Sequence, residues 1–229
     1  MFKLEPIIPI FSLKIGNISV NITSSIITQW CVILILGIGA FLLTRNLKLK
    51  PSKVQAALEK LYQCLRDLVV NTMGEMYESF LPYIGTLMIY LLILNFMGLL
   101  GVKPPTQDLS VTVSLAIVTF LVVNLNAISK NGLVGYSKAF THPFALMLPI
   151  NIMERIVLPV SLALRLFGNM VAATVLVELV YSSLAQIAVV AQVGLPIFVH
   201  GYFDLFDGTI QMLVFSMLTM INIKVTGDE

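Results

Sequence analysis

The chain has 229 residues, of which 58% are hydrophobic and only 11% are charged, and its mean hydropathy is +0.94. A soluble domain averages about 25% charged residues because it must cover its surface with polar groups. The composition therefore excludes an ordinary soluble protein and predicts a helical protein whose solvent is the lipid bilayer. The formal net charge of only +2 argues against a nucleic acid as a partner. Cys31 and Cys64 show neither metal-ligand nor CxxC spacing, so we expect both to act as apolar fillers without a disulfide.

Residues 1–25 are expected to lie outside the cell as an N-terminal segment without a cleavable signal peptide. Residues 26–43 are the first predicted span, since about 20 apolar residues cross a hydrocarbon core roughly 30 Å thick. Basic residues follow this span, and the positive-inside rule predicts that they are cytoplasmic. They are Arg45, Lys48, Lys50 and Lys53.

Residues 52–76 are predicted to form an amphipathic helix, with leucines and valines on one stripe and charged side chains on the other. Ser52 and Gln55 at its start have the spacing of a capping box. Such a helix is typical of the membrane interface. A helix that packs on a soluble partner would show the same pattern.

Residues 81–128 are predicted to supply two more spans, joined by a turn around Pro104 and Pro105. Asn95 lies inside the first of these spans. Lys130 then predicts the start of a second cytoplasmic loop.

The remaining apolar sequence, residues 143–223, contains two long stretches that charged residues interrupt. Each stretch is either a short hairpin or one long, steeply tilted helix, and Pro159 and Gly168 permit bending in both cases. Counting one crossing for each stretch predicts an all-α fold with about five crossings. The N-terminus is then outside and the C-terminus cytoplasmic, in agreement with the basic loops.

Arg165 is the most informative residue of the chain, because apolar residues flank it on both sides. A guanidinium does not lose its proton in a protein, and a charge at mid-bilayer costs about 2.5 to 3.5 kcal/mol on insertion scales. A functional reason is therefore expected for it. The structural alternative is an ion pair with Glu154, Glu178 or an aspartate of the last helix.

Polar residues repeat around the arginine with helical spacing. Ser161, Arg165 and Asn169 form one stripe, while Thr174 and Glu178 face another direction. The last helix is predicted to carry a third polar set on one face, consisting of Asp204, Asp207, Gln211 and Asn222. Carboxylates that line a wet crevice are typical of a proton or sodium path. The alternative is a polar seam that joins helices.

Two other residues have competing interpretations. Asp108 begins the third span, where it is either a helix N-cap or part of a channel mouth. His200 lies near the polar set of the last helix, where it either tunes a proton path or sits at the membrane interface.

Several of these segments resemble subunit a of the F-type ATP synthases. Residues 159–170, PVSLALRLFGNM, resemble the family's arginine signature, and residues 207–219, DGTIQMLVFSMLT, resemble its final helix. Shorter matches, DLSVT at 108–112 and NIME at 151–154, occur in the right order. The resemblance thus covers roughly residue 80 to the C-terminus.

The resemblance implies a non-catalytic stator subunit of a rotary ATP synthase, which cups a ring of proteolipid subunits, the c-ring. Arg165 would separate two offset half-channels that pass H⁺ or Na⁺ to and from the ring carboxylates, with Gln211 and Asn169 as its polar neighbours. Also implied are a long tilted hairpin, contact with the peripheral-stalk subunit b and an indirect link to the soluble catalytic head. A bacterial plasma membrane is the expected location, and no resident cofactor or metal is expected.

The chain departs from the family pattern at two positions. Nine residues after the arginine, where the family often has an acidic residue or histidine, stands Thr174; we expect Glu178, one turn further, to take the acidic role. Seven residues before the glutamine, where the family often has histidine or glutamate, stands Asp204. Two other functions stay open: a self-contained cation transporter or channel, and a structural scaffold for a membrane complex.

Overall fold

The computed structural model describes residues 11–15, 18–45, 47–48, 50–139, 146, 148–187 and 201–228. Within them, two short antiparallel strands precede six α-helices. The elements are β1 (Phe11–Ile15), β2 (Ile18–Ile22), α1 (Ser24–Thr44), α2 (Lys53–Met73), α3 (Leu81–Phe96), α4 (Leu109–Ala139), α5 (Leu148–Ile187) and α6 (Gly208–Asp228). Three 3₁₀ segments, Glu75–Phe80, Met97–Leu100 and Pro105–Gln107, flank α3 and precede α4, and a π-helix, Gly201–Asp207, leads into α6.

Five helical segments are long and apolar enough to cross a membrane. They are Ser24–Thr44, Glu75–Leu100, Leu109–Gly132, Leu148–Leu184 and Gly201–Asp228. This confirms the predicted helical membrane fold with about five crossings. The β1–β2 hairpin, in which Phe11 lies opposite Ile22, was not predicted.

Helix α1 lies at the edge of the bundle. Among its residues, all of which the structure describes, Val32 alone is buried. Large apolar side chains such as Trp30 and Ile35 are exposed. Lipid tails are as apolar as leucine, so such a surface needs no protein cover to be stable in a bilayer.

Helix α2 begins as the capping box predicts, because the Ser52 hydroxyl accepts a hydrogen bond from the Gln55 amide at 3.3 Å. It ends at Met73 rather than residue 76, since Gly74 has a φ of 96° and terminates the helix. Val69 and Met73, near its end, are buried in the region where α2 contacts α3 and α6. On its earlier turns Val54 and Leu61 are exposed, whereas Leu65 packs partly buried against the core.

Helix α4 continues past the predicted end of the third span at residue 128. Lys130 is helical rather than part of a loop, and the helix breaks at Gly132, whose φ of 67° and ψ of 167° are not helical. The lysine therefore extends from the end of a membrane-spanning segment.

Helix α5 decides between the two architectures proposed for residues 143–184. Leu148–Ile187 is one helix of 40 residues with Pro159 inside it. At 1.5 Å per residue it is about 60 Å long, roughly twice the thickness of the hydrocarbon core. A helix of this length cannot stand upright within the hydrocarbon. The connection to α6, residues 188–200, lies outside the described residues.

The core lies between α2, α3, α4, α5 and α6, and α4 packs against both α5 and α6. Its most buried large side chains include Ile84, Leu166, Phe215 and Met220. Because lipid offers apolar groups as good an environment as the core does, close packing and buried hydrogen bonds must hold these helices together. Cys31 and Cys64 are free and exposed, so neither acts as a core filler.

Candidate functional site

Arg165 lies on the outward side of α5. Leu162 and Leu166, which are 3% and 0% exposed, face the core, whereas Arg165, Ser161 and Asn169 are exposed. Arg165 makes no salt bridge or hydrogen bond to any residue that the structure describes. The proposed ion pairs with Glu154, Glu178 or the aspartates of the last helix are therefore not formed.

One turn further along α5, a hydrogen bond joins the arginine helix to α6. The Asn169 side-chain amide donates to Oε1 of Gln211 at 2.7 Å. Gln211 is only 2% exposed, and its own amide nitrogen has no hydrogen-bond partner among the described residues. The two polar residues predicted beside the arginine are thus in direct contact, and the glutamine retains a buried donor.

The carboxylates before α6 are arranged differently from the prediction. Asp204 and Asp207 belong to the π-helix, whose wider turn invalidates the spacing of 100° per residue that placed them on one face with Gln211. Asp204 is buried at 8% exposure, and a Cβ on Gly98 would lie 2.9 Å from its carboxylate carbon. Its carboxylate thus packs on the backbone after α3, a position that requires glycine. Asp207 and Asn222, by contrast, are half-buried.

Thr174 is linked to the segment before α4. Its hydroxyl accepts a hydrogen bond from the Gln107 amide at 2.5 Å and donates one to the Met170 carbonyl at 2.8 Å. Glu178, one turn beyond, is exposed and makes no hydrogen bond or ion pair to the described part of the chain. On this face of α5, Thr174 therefore makes the polar contact, and the carboxylate of Glu178 stays accessible.

Asp108 acts as the N-cap of α4. Its carboxylate accepts a hydrogen bond from the Ser110 amide at 3.0 Å, while its carbonyl accepts from Val111 at 3.1 Å. This confirms the capping interpretation, in which the side chain satisfies an amide left free at the helix start. The same residue is 9% exposed, so it does not present an open carboxylate.

Asn95 is a site residue whose contacts the sequence did not predict. Its amide donates to the Gly208 carbonyl at 2.9 Å, and its oxygen accepts from Thr106 at 3.3 Å. Asn95 and Thr106 are fully buried. A single asparagine in an otherwise apolar span was the available signal, because a buried amide requires partners. Asn95 thus fixes the start of α6, three residues before Gln211, against α3.

The opposite end of α5 carries a second set of polar residues. Glu154 is exposed and makes no hydrogen bond or ion pair within the described residues. Its neighbour Arg155 donates to the Thr226 hydroxyl, and its guanidinium lies 6.0 Å from the centre of the Tyr136 ring. Arg155 thus joins α5 to the end of α6 and to α4. His200 lies outside the described residues.

These contacts define a polytopic helical membrane protein with a permanent cation on the outer surface of one long helix and buried polar groups between that helix and the last one. Among the described residues, no three histidine, cysteine, aspartate or glutamate side chains converge to hold a metal ion.

Comparison with known proteins agrees with this class. The family model of the ATP synthase A chain matches residues 26–224. ATP synthase subunit a of Moorella thermoacetica is 35% identical over 202 residues, which cover 88% of this chain and 89% of that protein. The sodium ion specific ATP synthase subunit a of Propionigenium modestum is 34% identical over 219 residues, which cover 89% of this chain and 73% of that protein. ATP synthase subunit a 1 of Crocosphaera subtropica is also 34% identical, with coverage of 89% and 86%.

The chain therefore belongs to the ATP synthase subunit a family. It is a multi-pass membrane protein and a component of an ATP synthase complex, with a role in ion transport and ATP synthesis.

Proposed function

We propose that this chain is the stator ion-channel subunit of a rotary ATP synthase, in which two half-channels pass H⁺ or Na⁺ to and from the carboxylates of the c-ring. The observation that carries the proposal is Arg165, a permanent cation on the outer surface of a spanning helix without a partner in the described chain. A charge in that position is costly unless it is paired or hydrated. A carboxylate on a neighbouring subunit supplies the missing anion.

The energies require this contact to be brief and hydrated. Opposite charges 4 Å apart attract by about 4 kcal/mol at an effective dielectric of 20. One charge that crosses 100 mV releases only about 2.3 kcal/mol. A dry, tight pair between Arg165 and a ring carboxylate would therefore stall rotation, whereas a hydrated contact displaces the bound cation and still releases the carboxylate.

The half-channels run on either side of Arg165. The hydrogen bond between Asn169 and Gln211 lies next to the arginine. Asp204 and Asp207, in the π-helix before α6, continue the polar path from Gln211. Glu178 provides an accessible carboxylate on the neighbouring face of α5. Glu154, about three turns before the arginine, lies toward the other end and marks the second half-channel.

The remaining parts of the proposal follow from the same role. The partners are the c-ring, the peripheral-stalk subunit b and, indirectly, the soluble catalytic head, which performs the ATP chemistry. The chain itself is non-catalytic and needs no resident cofactor. It lies in a bacterial plasma membrane with its N-terminus outside and its C-terminus cytoplasmic, since the basic segments around Lys48 and Lys130 are then inside. The helix α2 lies in the cytoplasmic interface.

ATP-driven cation uptake into proteoliposomes that contain the whole complex tests the proposal. Arg165→Ala is expected to abolish uptake while the complex still assembles, as judged by subunit composition after purification. Arg45→Ala is the matched control, because Arg45 is an exposed arginine at the end of α1, outside the proposed path, and uptake is expected to stay unchanged.

Coupled uptake that survives Arg165→Ala in an assembled complex contradicts the proposal and favours the structural scaffold. Cation transport by the purified chain alone, without the ring, favours a self-contained transporter or channel instead.

A further inference from the structure

A cleft opens between α2 and the beginning of α3, away from the arginine. It has a volume of about 390 Å³ and is bounded by Tyr62 and Leu65 on α2 and by residues 78–86 on the other side. Leu81, Pro82 and Gly85 make most of that wall apolar. The volume lies within the range of about 300 to 1,000 Å³ that is usual for small-molecule sites.

The depth of the cleft along α3 places it near a membrane surface. The spanning segment begins at Glu75, so the wall formed by residues 78–86 belongs to its first turns. On the other wall, α2 is amphipathic and is absent from the five segments suited to crossing the membrane. An amphipathic helix beside the end of a spanning helix is typical of the interface between headgroups and acyl chains.

Two opposite charges stand at the edge of the cleft. Nε of Arg66 donates to Oε1 of Glu78 at 2.5 Å, and Nη2 donates to Oε2 at 3.4 Å. Both side chains remain accessible, at 47% and 41% of their surface. The guanidinium therefore keeps N–H groups for an anion, and the carboxylate keeps lone pairs for a cation.

Three hydroxyl groups complete the lining, and two of them are available to a ligand. Tyr62 and Ser79 line the cleft, and neither side chain makes a hydrogen bond to the residues that the structure describes. The third hydroxyl, on Thr86, donates to the Pro82 carbonyl at 2.7 Å. Tyr62 and Ser79 are thus available as donors to ester or phosphate oxygens, in the interfacial position where tyrosine is enriched.

We propose that this cleft binds one zwitterionic phospholipid. The phosphate contacts Arg66, the ammonium of an ethanolamine headgroup contacts Glu78, and the start of an acyl chain occupies the apolar wall around Gly85. One positive and one negative group at the edge complement a headgroup that carries one of each. An anionic headgroup would instead offer a phosphate to Arg66 but no ammonium to Glu78.

Native mass spectrometry of the full chain in detergent tests this proposal with phosphatidylethanolamine and phosphatidylglycerol of identical acyl chains. We expect one phosphatidylethanolamine to be retained in preference to phosphatidylglycerol. Gly85→Leu fills the cleft and is expected to abolish this retention; a Cβ at Gly85 lies 3.4 Å from Leu65, so the first added carbon fits. Gly39→Leu is the matched control, since nothing lies within 4 Å of its Cβ position on α1.

Arg66→Gln and Glu78→Gln test the headgroup contacts separately at exposed positions that leave the fold intact. Each is expected to weaken phosphatidylethanolamine binding by about tenfold, as the loss of one charge-assisted hydrogen bond does. Far-UV circular dichroism verifies that every variant keeps its helices. Arg165→Ala is expected to retain the lipid, so this outcome is independent of the proposed channel function.

Equal retention of both headgroups, or retention that survives Gly85→Leu, overturns the proposal. A photoreactive benzophenone side chain in place of Tyr62 extends the test to the assembled complex, where crosslinks to phospholipid are expected. Crosslinks to another protein subunit there would identify the cleft as a protein interface and overturn the lipid assignment.

Discussion

Removing the hydrogen bond between α5 and α6 is the most direct perturbation of the candidate site. Asn169→Leu keeps a side chain of similar length but deletes the amide that donates to Gln211 at 2.7 Å. Gln211 is 2% exposed, and its nitrogen already has no partner among the described residues. The substitution therefore leaves both ends of a buried amide unpaired.

The expected loss of stability follows from that burial. An unsatisfied buried polar group costs about 1 to 3 kcal/mol in proteins, whereas interhelical hydrogen bonds in membrane proteins average about 0.6 and reach about 1.7 kcal/mol. We therefore expect Asn169→Leu to reduce the free energy of unfolding by about 1 to 2 kcal/mol. Asn169→Leu combined with Gln211→Leu should cost less than the sum of the two single substitutions, because no amide is then left unpaired.

Unfolding of the full chain in detergent micelles by a denaturing detergent, followed by far-UV circular dichroism, measures these free energies in a double-mutant cycle. Ser161→Leu is the matched control, because Ser161 is two turns away on the same exposed side of α5 and makes no side-chain hydrogen bond within the described residues. Its effect should stay within about 0.5 kcal/mol.

Two results would refute this reasoning. If Asn169→Leu lowers the free energy of unfolding no more than Ser161→Leu does, the hydrogen bond contributes nothing to helix association. If the stability losses of Asn169→Leu and Gln211→Leu are strictly additive in the double variant, the two side chains act independently.

Two further predictions concern close contacts elsewhere in the bundle. Gly98→Ala is expected to lower stability by about 1 to 3 kcal/mol, because its Cβ would lie 2.9 Å from the Asp204 carboxylate carbon; displacing that carboxylate should also slow cation uptake in proteoliposomes. Lys130→Met is expected to cost about 0.5 to 1.5 kcal/mol in the same unfolding assay. It removes the bond of 2.8 Å from Nζ to the Tyr77 hydroxyl and the ion pair of 3.3 Å with Asp228.

Each of these substitutions has a control in the chain. Gly39→Ala adds the same methyl group on α1, where nothing lies within 4 Å, and should leave stability and uptake unchanged. Lys60→Met removes an exposed lysine of α2 that makes no hydrogen bond or ion pair to the described residues. A response no larger than that of its control contradicts the corresponding prediction.

Local chemistry explains which parts of the fold and of the candidate site were predictable. The capping box at Ser52 and the N-cap at Asp108 depend on groups within three residues of one another, so their sequence spacing was sufficient. The family resemblance predicted that Asn169 and Gln211 are polar neighbours of the arginine, but their contact with one another was not predicted, since the two residues are 42 positions apart. The burial of Asp204 against Gly98 was not predictable, because a π-helix changes the angular spacing on which the helical arithmetic depends.

Composition and hydropathy by themselves determined that this chain is a helical membrane protein with about five crossings, because transfer of each segment into lipid depends on that segment alone. Sequence also singled out Arg165 as a candidate functional residue, since an arginine keeps its charge and a charge inside an apolar span is costly. The tertiary structure decided where that charge points and what it lacks: Leu162 and Leu166 take the core side of α5 and leave the arginine outside, without an anion among the described residues. It also decided the partners of Asn95, Thr174 and Asp204, because pairing between distant segments depends on how the helices pack against one another.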